Sequence, residues 1–248
     1  MTDDARTVES DRNWSDAMVK TTLMFGSIGT LVESSDLQRQ AYNEAMREAG
    51  LGWHWDVETY ADLLLQSGGK ERLAHLTAAT GTPLAQSVID AIHARKTELA
   101  GAKMVAAGVS LRPGVAALIT LAKTRGMKLA FVTTTYPPNI DAVFAAVGTA
   151  ISRSDFDHIV SRAQVERGKP APDAYLVALA ALGVTAAEAL AIEDTATSVM
   201  SAKRAGVTVV ATPGAITAGQ DFWQADLVVD ALAGDDGIDP RVLALLDR

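Results

Sequence analysis

The chain has 248 residues, of which 48% are hydrophobic and 21% are charged, so it is long enough to bury one large core or two unequal ones. Its 30 acidic residues outnumber the 22 Lys and Arg residues, and the net charge of −8 argues against a nucleic-acid partner. The absence of cysteine excludes disulfides, thiolate metal sites and a cysteine nucleophile. No apolar run reaches the ~18 residues of a membrane span, and we expect a cytoplasmic protein.

Strands and helices alternate over most of the chain. Residues 1–18 are acidic, lack the apolar centre of a signal peptide and are predicted to form a mobile tail. A first strand is predicted over 19–25, because its nearly continuous hydrophobicity is typical of a strand buried on both faces. Further strands are predicted at 128–132, 158–161, 189–192, 207–211 and 226–229, and helices at 114–125, 139–147, 172–182, 197–205 and 240–246. This order predicts an α/β fold with a doubly wound, mostly parallel sheet.

The segment between the first strand and residue 108 contains no convincing strand. Ser35 to Gln38 fit a capping box, in which the Ser35 hydroxyl and the Gln38 side chain satisfy backbone amides at the start of a helix. Further helices are predicted at 57–66, 70–80 and 84–106, separated by turns that contain glycine. We therefore predict an all-helical cap domain over 36–107, inserted into a core domain formed by 19–35 and 108–248.

Four loops should meet at the carboxyl ends of the parallel strands, at 26–33, 133–139, 167–173 and 193–198. They carry Thr133, Thr134, Lys169, Glu193 and Asp194, which are the hydroxyl, ammonium and carboxylate groups that hold a phosphate and a hard divalent cation. Taken singly, each has a plain alternative: the threonines as sheet filler or a helix cap, the lysine as a solvated loop residue, and the acidic pair as a cap of the next helix. Together, each after a strand, they favour a phosphate site.

Four motifs in this order resemble those of the haloacid dehalogenase-like hydrolases, over nearly the whole chain from Lys20. The matching segments are Gly29-Thr30-Leu31, Thr133, Lys169-Pro170-Ala171-Pro172-Asp173, and Glu193-Asp194 through Ala205-Gly206. The helical insertion resembles the cap of the phosphoglycolate phosphatase and β-phosphoglucomutase branch. The resemblance implies a Rossmann-like core with Thr133, Thr134 and Lys169 as phosphate ligands, and Mg²⁺ as cofactor.

A narrower resemblance is to the xylulose-bisphosphate phosphatases associated with the Calvin cycle. It is carried by the segments 50–55 (GLGWHW), 68–72 (GGKER), 133–135 (TTT), Pro138-Asn139 and Asp221-Phe222. It implies that Gly69, Lys70 and Arg72, with Glu33 from the hinge, contact the distal phosphate and hydroxyls of a sugar. The alternative for Lys70 to Arg72 is an exposed first helical turn, but the preceding glycines would let the backbone approach a ligand.

The first motif lacks both of the aspartates that the resemblance implies. Gly26 stands at the position of the nucleophile and Ile28 at that of the acid/base residue, and neither has a side chain that could do this chemistry. Ser27 is not expected to replace them, because alternation along an extended segment points it to the other side. Catalytic residues are therefore predicted to be absent.

The missing aspartates also weaken the predicted metal site. Glu193 and Asp194 remain as ligands, with Asp194 the better candidate for direct contact with Mg²⁺, and Lys169 is expected to pair with Asp194. The first aspartate of the family, which would supply another carboxylate, is missing.

Three functions are consistent with this pattern. The first is a catalytically silent phosphatase homologue that binds a phosphosugar, with a small phosphorylated metabolite as its partner and no nucleic acid or membrane. The second is a Mg²⁺-dependent phosphosugar hydrolase or mutase with a rearranged mechanism. The third is a protein that binds an unspecified partner through a surface to which its tryptophans contribute. We rank them in this order.

Overall fold

The computed structural model describes residues 19–248, and the predicted tail 1–18 lies outside the described residues. The strands are β1 (Thr22–Phe25), β2 (Lys128–Val132), β3 (His158–Val160), β4 (Ala189–Glu193), β5 (Thr208–Ala211) and β6 (Leu227–Val228). The α-helices are α1 (Ser35–Glu48), α2 (Val57–Leu63), α3 (Gly69–Ala79), α4 (Gln86–Ala106), α5 (Val115–Thr124), α6 (Pro137–Val147), α7 (Asp173–Leu182), α8 (Ala196–Arg204) and α9 (Pro240–Leu246).

The six strands form one parallel sheet in the order β3-β2-β1-β4-β5-β6, which confirms the predicted α/β class. Phe25 at the end of β1 pairs in register with Phe131 on β2 and with Ile192 on β4. The chain runs outward from β1 to β3 and then returns to the other side of β1. The order of strands therefore reverses at β1, which is where ligand sites form in such sheets.

Both faces of the sheet are covered, as the continuous hydrophobicity of the strands predicts. One face carries Leu23, Phe25, Leu129 and Phe131, packed with side chains of α5, α6 and α9. The opposite face packs against α7 and α8 through smaller residues, Met24, Ala130, Val132, Ala189, Ala191 and Val209 among them. The sheet is doubly wound because helices lie on both sides, and its strand ends are held rigidly between them.

Helices α1 to α4 enclose a separate hydrophobic cluster of Tyr42, Ala45, Met46, Trp55, Tyr60, Leu73, Ile89 and Ile92. The predicted capping box at Ser35 is wrong. Ser35 is already the first helical residue, and its amide donates to Glu33 Oε1 at 3.0 Å, while Gln38 turns inward and donates to Met104 Sδ at 3.9 Å. The buried position of Gln38, only 1% exposed, outweighs the local cap.

A smaller difference concerns the start of the first strand. The first strand begins at Thr22 rather than Val19, which is 57% exposed and precedes the sheet. Within residues 19–248, no helix combines the length and the hydropathy needed to cross a bilayer.

Candidate functional site

A cavity of about 120 Å³ lies between the carboxyl ends of the strands and helices α1 to α4. We call its two sides the sheet end and the helix end. The sheet end is lined by Ser27, Ile28, Thr133, Thr134, Lys169, Glu193 and Asp194. The helix end is lined by Gln38, Tyr42, Gly69, Arg72, His93 and Lys96. All four loops predicted at the strand ends therefore contribute to this cavity.

The loop after β1 folds back at once into a tight turn. The amides of Thr30 and Leu31 both donate to the Ser27 carbonyl oxygen, at 3.2 and 2.8 Å. Gly29 adopts a φ of +82°, and a Cβ at this position would lie only 1.9 Å from Asp194 Oδ2, so the turn requires glycine. Ser27 and Ile28 both line the cavity, and the orientation of the Ser27 side chain away from the reacting groups stays a prediction.

Gly26 faces a carboxylate from another strand. A Cβ built on Gly26 would lie 2.4 Å from Glu193 Oε2 and 2.6 Å from Thr30 Oγ1. The space beside the Gly26 backbone is thus filled by the Glu193 side chain, which extends from the last residue of β4. The sequence alone does not predict this contact, because residues 26 and 193 are brought together by the pairing of β1 with β4.

Glu193 is the centre of a buried polar cluster. Its Oε1 accepts hydrogen bonds from the Lys169 ammonium and from the Tyr175 hydroxyl, and the Lys169 Nζ also donates to the Val132 carbonyl oxygen at 3.0 Å. The side chains of Lys169 and Glu193 are 4% and 1% exposed. Burial, with the nearby Glu193 charge, raises the pKa of the Tyr175 phenol well above its usual value and keeps it a donor.

The expected pairing of Lys169 with Asp194 is wrong. Lys169 pairs with Glu193, and Asp194 instead accepts a hydrogen bond of 3.1 Å from Thr30 Oγ1. Burial raises the pKa of Asp194 to about 7, helped by the Glu193 charge and opposed by the Thr30 hydrogen bond. The two carboxylates therefore have different environments although they are neighbours in sequence.

Few side-chain oxygens at the sheet end are free to hold a magnesium ion, and the predicted weak site at Glu193 and Asp194 stays a prediction. Phosphatases of the haloacid dehalogenase-like family generally use Mg²⁺. Here one oxygen of Glu193 is occupied by Lys169 and Tyr175, and one oxygen of Asp194 by Thr30. Within residues 19–248, no group of three or more His, Cys, Asp or Glu side chains is arranged to hold a metal ion.

The threonines after β2 connect the two ends of the cavity. Thr133 Oγ1 accepts the Thr135 amide at 3.0 Å, which fixes its hydroxyl in the loop. Thr134 Oγ1 forms a 2.7 Å hydrogen bond with Ser67 Oγ, from the turn between α2 and α3. The predicted phosphate ligands Thr133, Thr134 and Lys169 are therefore brought together, although Lys169 already has a carboxylate partner.

The helix end brings together only part of the predicted sugar contacts. Arg72 lines the cavity, 8% exposed, and its guanidinium donates to the carbonyl oxygens of Leu63 and Gln66 at 2.8 and 3.1 Å. Gly69 also lines it, and a Cβ there would lie 2.4 Å from the Tyr42 hydroxyl and 2.5 Å from His93 Nε2. The close packing explains the glycine at residue 69.

Glu33 and Lys70 do not line this cavity. Lys70 pairs with Asp90 at 2.7 Å and lies 4.8 Å from the centre of the Tyr136 ring. Glu33 is exposed, and its Oε1 accepts a hydrogen bond from the Ser35 amide. A Cβ built on Gly214 would lie 1.7 Å from Glu33 Oε2, so the Glu33 side chain packs directly against the Gly214 backbone. Both side chains are engaged with protein groups just outside the cavity.

The cavity residues that were not predicted from the sequence include Lys96 and His93 on α4. Lys96 is 4% exposed, its Nζ lies 4.7 Å from the centre of the Tyr42 ring, and burial, then the Arg72 charge, lowers its pKa to about 7. Burial, then Lys96, lowers the pKa of His93 to about 3. The helical spacing of these two residues was the available signal for their burial. Both continue the face of α4 that carries Ile89 and Ile92, where apolar residues are expected.

Comparisons with known proteins agree with this architecture. The model of the haloacid dehalogenase-like hydrolase family matches residues 22–206. Protein CbbY of Rhodobacter capsulatus is 41% identical over 204 residues, which cover 82% of this chain and 90% of the relative. Protein CbbY of Cereibacter sphaeroides is 40% identical over 212 residues, which cover 85% and 92%.

Solved structures give the same result. A variant of CbbY from Rhodobacter sphaeroides, crystallised in complex with xylulose-(1,5)bisphosphate, superposes with a TM-score of 0.81 at 38% identity and covers 90% of this chain and 100% of its own. A β-phosphoglucomutase from Clostridium difficile, with a TM-score of 0.75, 16% identity and coverage of 92% and 97%, shares the fold. This chain therefore belongs to the haloacid dehalogenase-like hydrolases and is a homologue of CbbY.

Proposed function

We propose that this protein binds a phosphorylated sugar in the cavity and does not hydrolyse it by the aspartyl-phosphate route. The observation that carries the proposal is a cavity lined by the cations Arg72, Lys96 and Lys169, beside positions 26 and 28 that bear no carboxylate. Cationic side chains of this kind bind phosphate oxygens by charge-assisted hydrogen bonds. The relative from Rhodobacter sphaeroides, crystallised with a sugar bisphosphate and with phosphate, supports this class of ligand.

Buried polar atoms in residues that line the cavity support a ligand that carries hydroxyl groups. Ser27, Gln38, Tyr42 and Asn139 line the cavity, and each has a buried side-chain oxygen (Oγ, Oε1, OH and Oδ1) without a hydrogen-bond partner within residues 19–248. Each such group costs about 1–3 kcal/mol when it stays unsatisfied. Once these side chains turn toward the cavity, the hydroxyl groups of a sugar would supply the missing partners.

The loss of turnover follows from the side chains at the first motif. We propose that Gly26 and Ile28 occupy the positions of the family nucleophile and acid/base residue. Glycine offers no nucleophile and isoleucine transfers no proton, and removing the nucleophile of covalent enzymes typically lowers the rate by about 10⁴–10⁶-fold. The cationic side chains of the cavity, Arg72, Lys96 and Lys169, are not at these two positions, so we expect binding to be retained.

We also propose that residues 36–107 act as a cap domain over the strand ends. Their separate hydrophobic cluster supports this, and so do the direct bonds from Ser67 to Thr134 and from Thr197 Oγ1 to the Leu65 carbonyl oxygen, the latter 2.8 Å long. In this arrangement the cap supplies Arg72, His93 and Lys96 to the ligand.

Calorimetric titration with a panel of sugar phosphates, combined with an assay of phosphate release, tests the proposal. We expect binding without release of phosphate above the buffer rate. Lys96→Met should weaken binding by about 10- to 100-fold, because a charged hydrogen bond to the ligand is lost. Lys123→Met, at an exposed ion pair on α5, is the matched control. Failure of every sugar phosphate to bind would contradict the proposal.

A hydrolase with a rearranged mechanism is the second candidate, because the cavity retains two carboxylates, Glu193 and Asp194. Release of phosphate that is lost in Asp194→Asn would favour it over silent binding.

The tryptophans do not form a common surface for a partner within residues 19–248. Trp55 is buried and Trp53 packs against the helical cluster, which leaves Trp223, 75% exposed, while Trp14 lies outside the described residues.

A further inference from the structure

Glu193 takes up the space that an aspartate at residue 26 would use. Its Oε2 lies 2.4 Å from the point where a Cβ on Gly26 would stand. Bonded geometry gives the same separation between a carboxylate oxygen and Cβ within a single aspartate. A carboxylate oxygen is therefore present near the Gly26 backbone, but it comes from β4 and is fixed there by Lys169 and Tyr175.

The ammonium group of the sheet end is already paired before any ligand binds. Lys169 pairs with Glu193, and a second carboxyl group, that of Asp194, lies beside them and adds no positive charge. A phosphate dianion that reached Lys169 would have to displace Glu193 or lie against it. Placing like charges next to each other in a buried site is strongly unfavourable. The sheet end is consequently a poor site for a phosphate and a good acceptor site for sugar hydroxyls.

The helix end has the opposite arrangement. Lys96 and Arg72 are 4% and 8% exposed, and neither forms an ion pair with a carboxylate of residues 19–248. Arg72 donates to backbone carbonyl oxygens, and Lys96 lies over the Tyr42 ring. Burying charges without a counter-charge is costly, so an anion bound here would be stabilised by both residues.

We infer that the cavity takes a sugar or polyol with a single phosphate, held at the helix end by Lys96 and Arg72, while uncharged hydroxyls occupy the sheet end beside Glu193 and Asp194. This inference rests on the proposed function and narrows it. The inferred ligand differs from the sugar bisphosphate that was crystallised with the relative, because a second phosphate would meet Lys169 already paired with Glu193.

The experiment compares matched pairs of ligands on the wild-type protein by calorimetry. Ribulose 5-phosphate is paired with ribulose 1,5-bisphosphate, and glucose 6-phosphate with glucose 1,6-bisphosphate. We expect at least one monophosphate to bind about tenfold or more tightly than its bisphosphate, as the repulsion at Glu193 requires. Equal or tighter binding of the bisphosphate in both pairs would overturn the inference and leave the proposed function intact. Binding of no member of either pair would overturn both.

A variant of Glu193 locates the cause of the preference. Glu193→Gln keeps the size of the side chain and removes its charge, so Lys169 becomes available and the bisphosphate should gain affinity about tenfold relative to its monophosphate. Glu166→Gln, at an exposed loop position, should leave the preference unchanged. If the wild-type preference persisted in a folded Glu193→Gln protein, Glu193 would not be its cause and the inference would be wrong.

Discussion

The two ends of the cavity deal with buried charge in different ways. At the sheet end, Lys169 has a carboxylate partner inside the protein, and Glu193 accepts from Tyr175 as well. At the helix end, Lys96 and Arg72 have aromatic side chains and backbone carbonyl oxygens near their charges, and no carboxylate partner within the described part of the chain. An unpaired buried cation is costly, whereas a paired one is tolerated. The comparison therefore indicates that the helix end depends on a ligand for its counter-charge, whereas the sheet end has its counter-charge inside the protein.

Removing Lys169 should produce the largest effect on stability, because it breaks the buried ion pair of the sheet end. Lys169→Met leaves Glu193 charged, buried and without its cation, and we expect the free energy of unfolding to fall by about 3–5 kcal/mol. Chemical denaturation at pH 7 measures this loss. Lys96→Met should not destabilise the protein comparably, because it removes a charge that has no partner within residues 19–248.

The double variant Lys169→Met with Glu193→Gln separates loss of a pair from loss of packing. It should recover most of the stability, because no buried charge remains uncompensated. If Lys169→Met alone were neutral, the sheet end would not be held by this pair, and the contrast with the helix end would disappear.

The fold follows closely from local patterns in the sequence. Apolar runs such as those of β2 and β4 are typical of strands with both faces covered. The alternation of side chains along these strands then produces one face of large residues and one face of small residues. The helix boundaries shift by at most a few residues. The capping box at Ser35 is the exception, because Gln38 lies on the buried side of α1, where interior contacts decide its orientation.

The site was only partly predictable, since its decisive contacts join distant segments. Thr133 and Lys169 could be placed from their positions after strands, but the pairing of Lys169 with Glu193 depends on side-chain orientation across two loops. Lys96 could not be identified as a site residue, because a lysine within a helix of mixed polarity is usually solvated. Its burial results from packing of α4 against α1 and Tyr42, and its spacing from Ile89 and Ile92 is the only local signal of this packing.

A change in pH should weaken the helix end specifically. The pKa of Lys96 is lowered to about 7 by burial and by Arg72, so its ammonium is lost as the pH rises through this value. We expect the affinity for a sugar monophosphate to fall roughly tenfold between pH 7 and pH 8.5. Because the ordinary lysine pKa is 10.5, the unfolded chain holds this proton longer, and the free energy of unfolding should rise with pH over the same range.

Calorimetry of wild-type protein and Lys96→Met across this pH range provides the check. The variant should bind more weakly and show a shallower profile above pH 7, because the ionisation of the ligand phosphate and of Asp194, whose pKa is about 7, is common to both proteins. A wild-type profile as shallow as that of the variant would show that Lys96 does not carry the anion.

The smallest expected effect concerns the hydroxyl contact that joins the two ends. Ser67→Ala removes the 2.7 Å hydrogen bond to Thr134 Oγ1, and we expect a loss of about 1 kcal/mol in the free energy of unfolding, the usual contribution of a neutral hydrogen bond. Ser154→Ala, at an exposed hydroxyl contact with Ser152, is the matched control. A double-mutant cycle with Thr134→Val isolates the pair. A coupling energy near zero would mean that the two ends are joined by other contacts, such as Thr197 to Leu65.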